Sequence, residues 1–225
     1  AKEGLKSSEG SSVMSNNPYS LSNQKEFFHN IITDALNYLD GTRFQMSKEQ
    51  KQKAHDVLVV KAPNRRSNCS RAGFDRILIC TTYWQIENVI SGKSRGVKAR
   101  FKKLGYYKPG HYYWNEYCHF DADPKCGGMH VKKGDIDHGN LIQVLHELSH
   151  FVQHNLYYSD PGYWGKHMRK AHGGGFKEIY SMLREKFCND PVVRKVCIAL
   201  WRAGFKGDLN WDQRMAAQKI AKEVA

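Results

Sequence analysis

The sequence predicts an α+β fold, with helices packed on a small, mostly antiparallel sheet. Three observations carry this reading. Apolar residues recur at helical spacing between residues 24 and 59. A β-branched and aromatic texture broken by Gly and Pro then runs from about residue 68 to residue 132, and helical spacing returns from Gly139 onward. With 225 residues, 40% of them apolar, the chain is long enough to bury one substantial core and too rich in aromatics for wholesale disorder.

Residues 1–23 lack apolar periodicity and are read as a disordered arm ahead of a single domain at 24–225. In that domain, residues 24–115 form a helical and basic part, and residues 116–225 carry the candidate site and the C-terminal helices. From Gln24 to Leu39 the residues Phe27, Phe28, Ile31, Ile32, Ala35, Leu36 and Leu39 trace one helical stripe that Gly41 ends. Ser47 and Gln50 fit a capping box opening a second helix toward Val59. Arg76–Trp84, Tyr112–Phe120 and Met129–Lys132 read as strands. In the second of these, alternation puts Tyr113 and Tyr117 on one face and Tyr112 and Trp114 on the other. Further helices are expected at Gly139–Tyr157, Gly174–Phe187, Pro191–Ala203 and Asp212–Val224, and Asn155–Ala171 reads as a long loop.

Composition narrows the function classes. The longest apolar runs are short, such as Ile77-Leu78-Ile79-Cys80, so no membrane span is expected. Six cysteines without a Cys-x-x-Cys pair, and no apolar stretch near the start, point to reduced thiols in a cytoplasmic setting. Cys118 and Cys126 flank a hairpin and are read as thiols rather than as a second metal site. The net charge of +13 is uneven: residues 41–115 hold 16 Lys+Arg against 4 Asp+Glu, whereas residues 116–225 hold 16 against 13. Such a concentration suits a polyanionic partner. Its densest stretch supplies Lys93, Arg95, Lys98, Arg100, Lys102 and Lys103 as candidate phosphate contacts to DNA or another nucleic acid.

The stretch Gly139–His154 carries the chemistry. Leu141, Leu145, Leu148 and Val152 trace an apolar helical face, and on that helix His146 and His150 lie one turn apart, able to share a small cation. Glu147 sits beside the first of them, where a carboxylate can accept a proton from a water that the metal activates. This is the His-Glu-x-x-His arrangement of metal-assisted amide hydrolysis. A hydrolytic zinc takes three protein ligands as a rule. His154, Asp160, His167, His172 and Glu178 are the candidates for the third. His154 would string the metal along one helix and suits a rim position, and Asp160 precedes Pro161-Gly162 and suits a turn. His172 is favoured because Gly173-Gly174-Gly175 would let backbones approach closely at the entrance to the next helix.

His146-Glu147-Leu148-Ser149-His150, followed by His172-Gly-Gly-Gly-Phe176, resembles the SprT-like metallopeptidases, which include the Spartan proteases of DNA–protein crosslinks. The resemblance spans about Met129 to Phe187. It implies a zincin-like minimal protease domain, one zinc ion held by His146, His150 and His172, Glu147 as the proton acceptor, and cleavage of peptide bonds in a protein substrate, often one bound to DNA. The spacing between His150 and His172 is longer than expected for that family, and this sequence shows no Cys-x-x-Cys pairs of the kind that build the zinc ribbon of many members. Within the intervening loop, Tyr163 and Trp164 are expected to form a substrate-contacting lid, and Tyr157, Tyr158, Tyr163 and His167 are all open as oxyanion donors. The strand at Met129–Lys132 is a candidate template for an extended substrate. Two other functions fit the same residues: a basic nucleic-acid-binding protein with a structural or vestigial zinc site, and a peptidase dedicated to one protein partner without DNA.

Overall fold

The computed structural model describes residues 17–62, 70–80 and 134–204, the separate positions 99, 102, 103, 105, 109 and 110, and the strand segments 111–115 and 128–132. In chain order the elements are α1 (Leu21–Tyr38), α2 (Lys48–Asp56), β1 (Leu58–Lys61), β2 (Arg71–Gly73), β3 (Arg76–Cys80), β4 (His111–Asn115), β5 (Gly128–Lys132), α3 (Ile136–Ser159), α4 (Pro161–Arg169), α5 (Gly174–Phe187) and α6 (Pro191–Arg202). The fold is mixed α+β.

Helix α1 begins three residues before its apolar stripe because Ser20 caps it, the hydroxyl accepting from the Asn23 N–H. Residues just ahead of it are held as well. The Arg202 guanidinium at the end of α6 donates to the Pro18 carbonyl at 2.8 Å and to Gln24 Oε1 at 2.8 Å, pairs with Asp137 on α3, and lies 3.8 Å from the Phe27 ring. One cation thus ties the starts of α1 and α3 to the end of α6. The capping box of α2 forms as the sequence predicts: Ser47 Oγ accepts from the Gln50 N–H, and Gln50 Oε1 accepts from the Ser47 N–H.

The main sheet is mixed rather than mostly antiparallel. Its order is β1-β3-β2, with β1 parallel to β3 and β2 antiparallel to it; β4 and β5 form a separate antiparallel pair. Helical spacing alone extends the second helix toward Val59, but the chain leaves α2 at Asp56 and turns Leu58-Val59-Val60 into β1. β-Branched residues favour the pleated surface, and the parallel pairing with β3 is a non-local contact. The two-residue turn Phe74-Asp75 closes the β2–β3 hairpin, and β3 buries both faces through Ile77, Leu78, Ile79 and Cys80.

Helix α3 runs through the centre. It packs against α1, β2, β3, α4, α5 and α6, and it is buried around nearly its whole circumference, so its polar residues are buried by neighbours and not by its own amphipathicity. Phe27, Phe28, Ile31 and Ile32 of α1, Leu58, Ile77 and Ile79 of the sheet, Leu145, Leu148 and Phe151 of α3, and Phe176, Ile179 and Leu183 of α5 share one core.

The expected loop at Asn155–Ala171 is helical along most of its length. Helix α3 continues to Ser159; Asp160 then caps α4 by accepting from the Tyr163 N–H, with Pro161 at its first turn. Proline there signals a helix start as readily as a loop, since its missing N–H would have no partner in that turn. Cys80 and Cys188 are buried, and among the described residues no helix is long and apolar enough to cross a membrane. Residues 81–84, 116–120, the hairpin with Cys118 and Cys126, and the C-terminal helix expected at Asp212–Val224 lie outside the described residues.

Candidate metal centre

His146 and His150 stand one turn apart on the side of α3 that meets α5, their ring centroids 5.0 Å apart. The third imidazole enters from the reversal between α4 and α5. His172 Nε2 lies 2.9 Å from His150 Nε2 and 3.2 Å from His146 Nε2, and ligand atoms of all three fall within 4.8 Å of one another. Nitrogens bound at 2.0–2.1 Å to a tetrahedral ion stand about 3.3 Å apart, so the spacing is close to that of a shared cation. These three residues can bind a metal ion.

His172 reaches this position with φ +56°, alone among the described non-glycine residues in having a positive φ. Such a backbone is strained for a residue with a Cβ and persists where the surroundings fix it. Those surroundings are visible. Gln153, fully buried three residues beyond His150, donates from Nε2 to the carbonyls of Met168 and Lys170, both at 2.8 Å. The following glycines are closely approached: a Cβ on Gly173 would lie 2.7 Å from the Lys170 carbonyl oxygen, on Gly174 2.8 Å from the His167 ring, and on Gly175 2.0 Å from Met168 Sδ. Helix α5 therefore starts pressed against the end of α4. Phe176, in the first turn of α5 and fully buried, touches all three imidazoles, with centroids at 4.9, 4.3 and 4.8 Å from His146, His150 and His172.

Electrostatics favours metal-competent protonation. Burial first, and the neighbouring imidazoles second, hold His146 well below the ordinary value and His150 down at about 4; burial also lowers His172. Neutral imidazole is the ligating form. Burial pushes Glu147 the other way, up to about 8, against the opposing pull of the Ala72 backbone N–H that its carboxylate accepts. Without a cation, this carboxyl is held as an acid near neutrality.

The other candidates for the third ligand are engaged elsewhere. His167 Nε2 contacts Glu178 Oε2 at 3.2 Å, and Arg43 pairs with Glu178, so both belong to an exposed ion cluster. Asp160 is a helix cap. His154 is half-buried at the rim, stacked over the Tyr158 ring at 6.4 Å. Tyr163 is 71% exposed, whereas Trp164 is turned into the core and stacks on Phe44, with centroids 6.0 Å apart. Trp164 therefore does not form an exposed lid; α4 keeps one ring in the core and one in solvent. Tyr158 is exposed and Tyr157 half-buried. Lys102 and Lys103 are exposed, and Lys93, Arg95, Lys98 and Arg100 lie outside the described residues, as do the side chains of Tyr112, Tyr113 and Trp114.

Sequence reasoning missed a polar stripe that fixes α3 to the outer edge of β2. Ser70 and Phe74 flank that strand. Gln143 donates to Ser70 Oγ, Glu147 accepts from the Ala72 N–H, and Asn155 donates to the Phe74 carbonyl at 3.1 Å. The signal was available in part. Gln143, Glu147 and Asn155 are spaced by multiples of four along an otherwise apolar helix. Nothing in the sequence singles out Ala72 as their partner. Comparison with protein-family models, curated proteins and solved structures finds no match for this chain.

Proposed function

We propose that this chain is a zinc-dependent endopeptidase of SprT-like, zincin-like type, acting on proteins associated with nucleic acid. The observation that carries the reading is the convergence of the His146, His150 and His172 Nε2 atoms beside the buried Glu147. Three neutral imidazoles suit zinc, and among the described residues no fourth Asp, Glu, His or Cys joins them. A structural zinc site is closed by four protein ligands, whereas a catalytic one keeps a position for water or substrate. The three-residue set therefore favours the enzyme over a binding protein with a structural ion.

A bound zinc would supply a Lewis acid for the scissile carbonyl and bring the pKa of water toward ~7. The remaining work belongs to the chain. Glu147, lying next to His146 in sequence, takes a proton from the attacking water and delivers it to the leaving amine; the Ala72 N–H fixes its carboxylate for both transfers. A nearby cation lowers the Glu147 carboxyl toward the ionised form that a base requires. Gln153 and Phe176 keep the three imidazoles in register. Beyond the ligands, His154 and Tyr158 continue the same helical row outward, and Phe74 meets Tyr158 edge-on at 5.2 Å, offering an exposed aromatic ledge to a polypeptide.

The nucleic-acid association rests on the +12 excess of residues 41–115 over the near balance that follows, a surface suited to docking and separable from the chemistry. The test is Glu147→Gln assayed on a protein substrate with and without DNA at low salt. Loss of cleavage with metal retained supports the enzyme, and stimulation of the wild type by DNA supports the docking role. Cleavage unchanged in the variant would contradict the first, and indifference to DNA the second.

A further inference from the structure

Two other histidines face each other away from the metal centre. His29 on α1 and His55 near the end of α2 bring their Nδ1 atoms to 2.9 Å, across 26 residues of chain. Their ring centroids are 5.2 Å apart with planes inclined at 35°, and both rings are half-buried. The separation matches that of His150 and His172 inside the candidate metal centre, where the Nε2 atoms also lie 2.9 Å apart.

Hydrogen bonding with Thr33 fixes the tautomer of His55. The Thr33 hydroxyl has one proton, and it donates that proton to the His29 carbonyl at 2.9 Å. In its longer contact with His55 Nε2, at 3.4 Å, the hydroxyl oxygen can then only accept, so Nε2 carries the ring proton and Nδ1 presents its lone pair to His29. This is the outer-shell arrangement that orients metal-ligating histidines: one ring nitrogen donates to a fixed oxygen and the other is left to coordinate.

We propose that His29 and His55 form a second metal site, taking a borderline divalent transition ion (Zn2+, Ni2+ or Cu2+) through both Nδ1 atoms and tying α1 to α2. Imidazole nitrogen is the preferred donor for these ions, and water completes a coordination sphere that only half of the ligands close. Coordination through both Nδ1 atoms requires the His29 proton to sit on Nε2. The site is separate in ligands from the centre on α3, and with two protein ligands it holds its ion more weakly than the three-histidine set.

The experiment is a Zn2+ and Ni2+ titration of the full chain at pH 7.5 by calorimetry with equilibrium dialysis. The wild type should take a second, weaker equivalent; His29→Ala and His55→Ala should each lower its affinity at least tenfold and retain the first. His172→Ala should lose the first and retain the second, so failure here is distinguishable from failure of the proposed catalytic site. In zinc-loaded wild type, one further equivalent of Ni2+ should broaden the His29 and His55 ring resonances, a reading that needs no variant to fold. Metal uptake unchanged in both variants, or broadening confined to other residues, would overturn the proposal and leave the pair an imidazole–imidazole hydrogen bond.

Discussion

His150 and His172 meet Nε2 to Nε2 at 2.9 Å from positions 22 residues apart, and His172 does so in a left-handed backbone conformation with φ +56°. Such a conformation costs about 1–3 kcal/mol for a residue with a Cβ. The packing of α4 against α5 offsets that cost, which makes the reversal at residues 170–175 the place where fold and site are joined.

Phe176 is the packing centre of the three-histidine cluster. Replacing a fully buried Phe by Ala costs about 3–5 kcal/mol, and here the vacated space adjoins all three imidazoles. Phe176→Ala should lower the unfolding midpoint in denaturant and weaken metal affinity together, whereas Phe187→Ala, in the same helix without a histidine contact among those observed, should lower stability alone.

Gly173→Ala tests the close approach of the backbone. The added Cβ falls 2.7 Å from the Lys170 carbonyl oxygen, a backbone atom that cannot rotate away. Overpacking of this kind costs about 1–3 kcal/mol. Because relief requires the His172 peptide to move, the variant should bind metal more weakly while keeping wild-type far-UV circular dichroism. A comparable substitution at Gly73, where a Cβ meets nothing within 4 Å, should leave metal affinity unchanged.

The metal-free protein should be most stable near about pH 6.5, where the histidines of the unfolded chain begin to take up protons. As pH falls, the unfolded chain protonates its histidines near 6.5 while His150 resists until about 4, so stability is lost across that interval, on the order of 3 kcal/mol from this residue. Glu147 acts in the opposite direction: the folded state holds its proton up to about 8 and the unfolded chain releases it near 4.5, so stability is lost as pH rises. Glu147→Gln removes that alkaline loss. Urea unfolding of the metal-free proteins should show the variant gaining on wild type from pH 5 to pH 8; a constant difference would contradict the assignment.

Much of this was legible beforehand, and what was missed has physical causes. Helix α5 was foreseen at its observed limits because its stripe is amphipathic and Gly173-Gly174-Gly175 mark its start. The meeting of His146, His150 and His172 was legible because a metal-binding pattern restricts residue type and spacing on α3. Helix α4 was hidden by Pro161-Gly162, which serve loops and helix starts alike. Strand β1 was hidden by its parallel pairing with β3, which no local pattern records. Trp164 was misplaced because an aromatic in a stretch that also carries Tyr157, Tyr158, Tyr163, Lys166, Arg169 and Lys170 reads as surface until its partner Phe44, 120 positions earlier, is brought beside it.

Glu147→Gln should lower kcat for peptide hydrolysis by about 10²–10⁴, the usual contribution of a positioned acid–base group, with little change in KM and no loss of metal. Equal activity in the variant would remove Glu147 from the chemistry.

The central claim is the ligand set, and metal content measured by plasma mass spectrometry after dialysis against a competing chelator tests it most directly. Wild type should retain one tightly held zinc per chain. His172→Ala should lose it, while His167→Ala and Glu178→Gln, which alter the neighbouring ion cluster, should retain it. Zinc retained in His172→Ala, or lost in Glu178→Gln with His172 intact, would contradict the account.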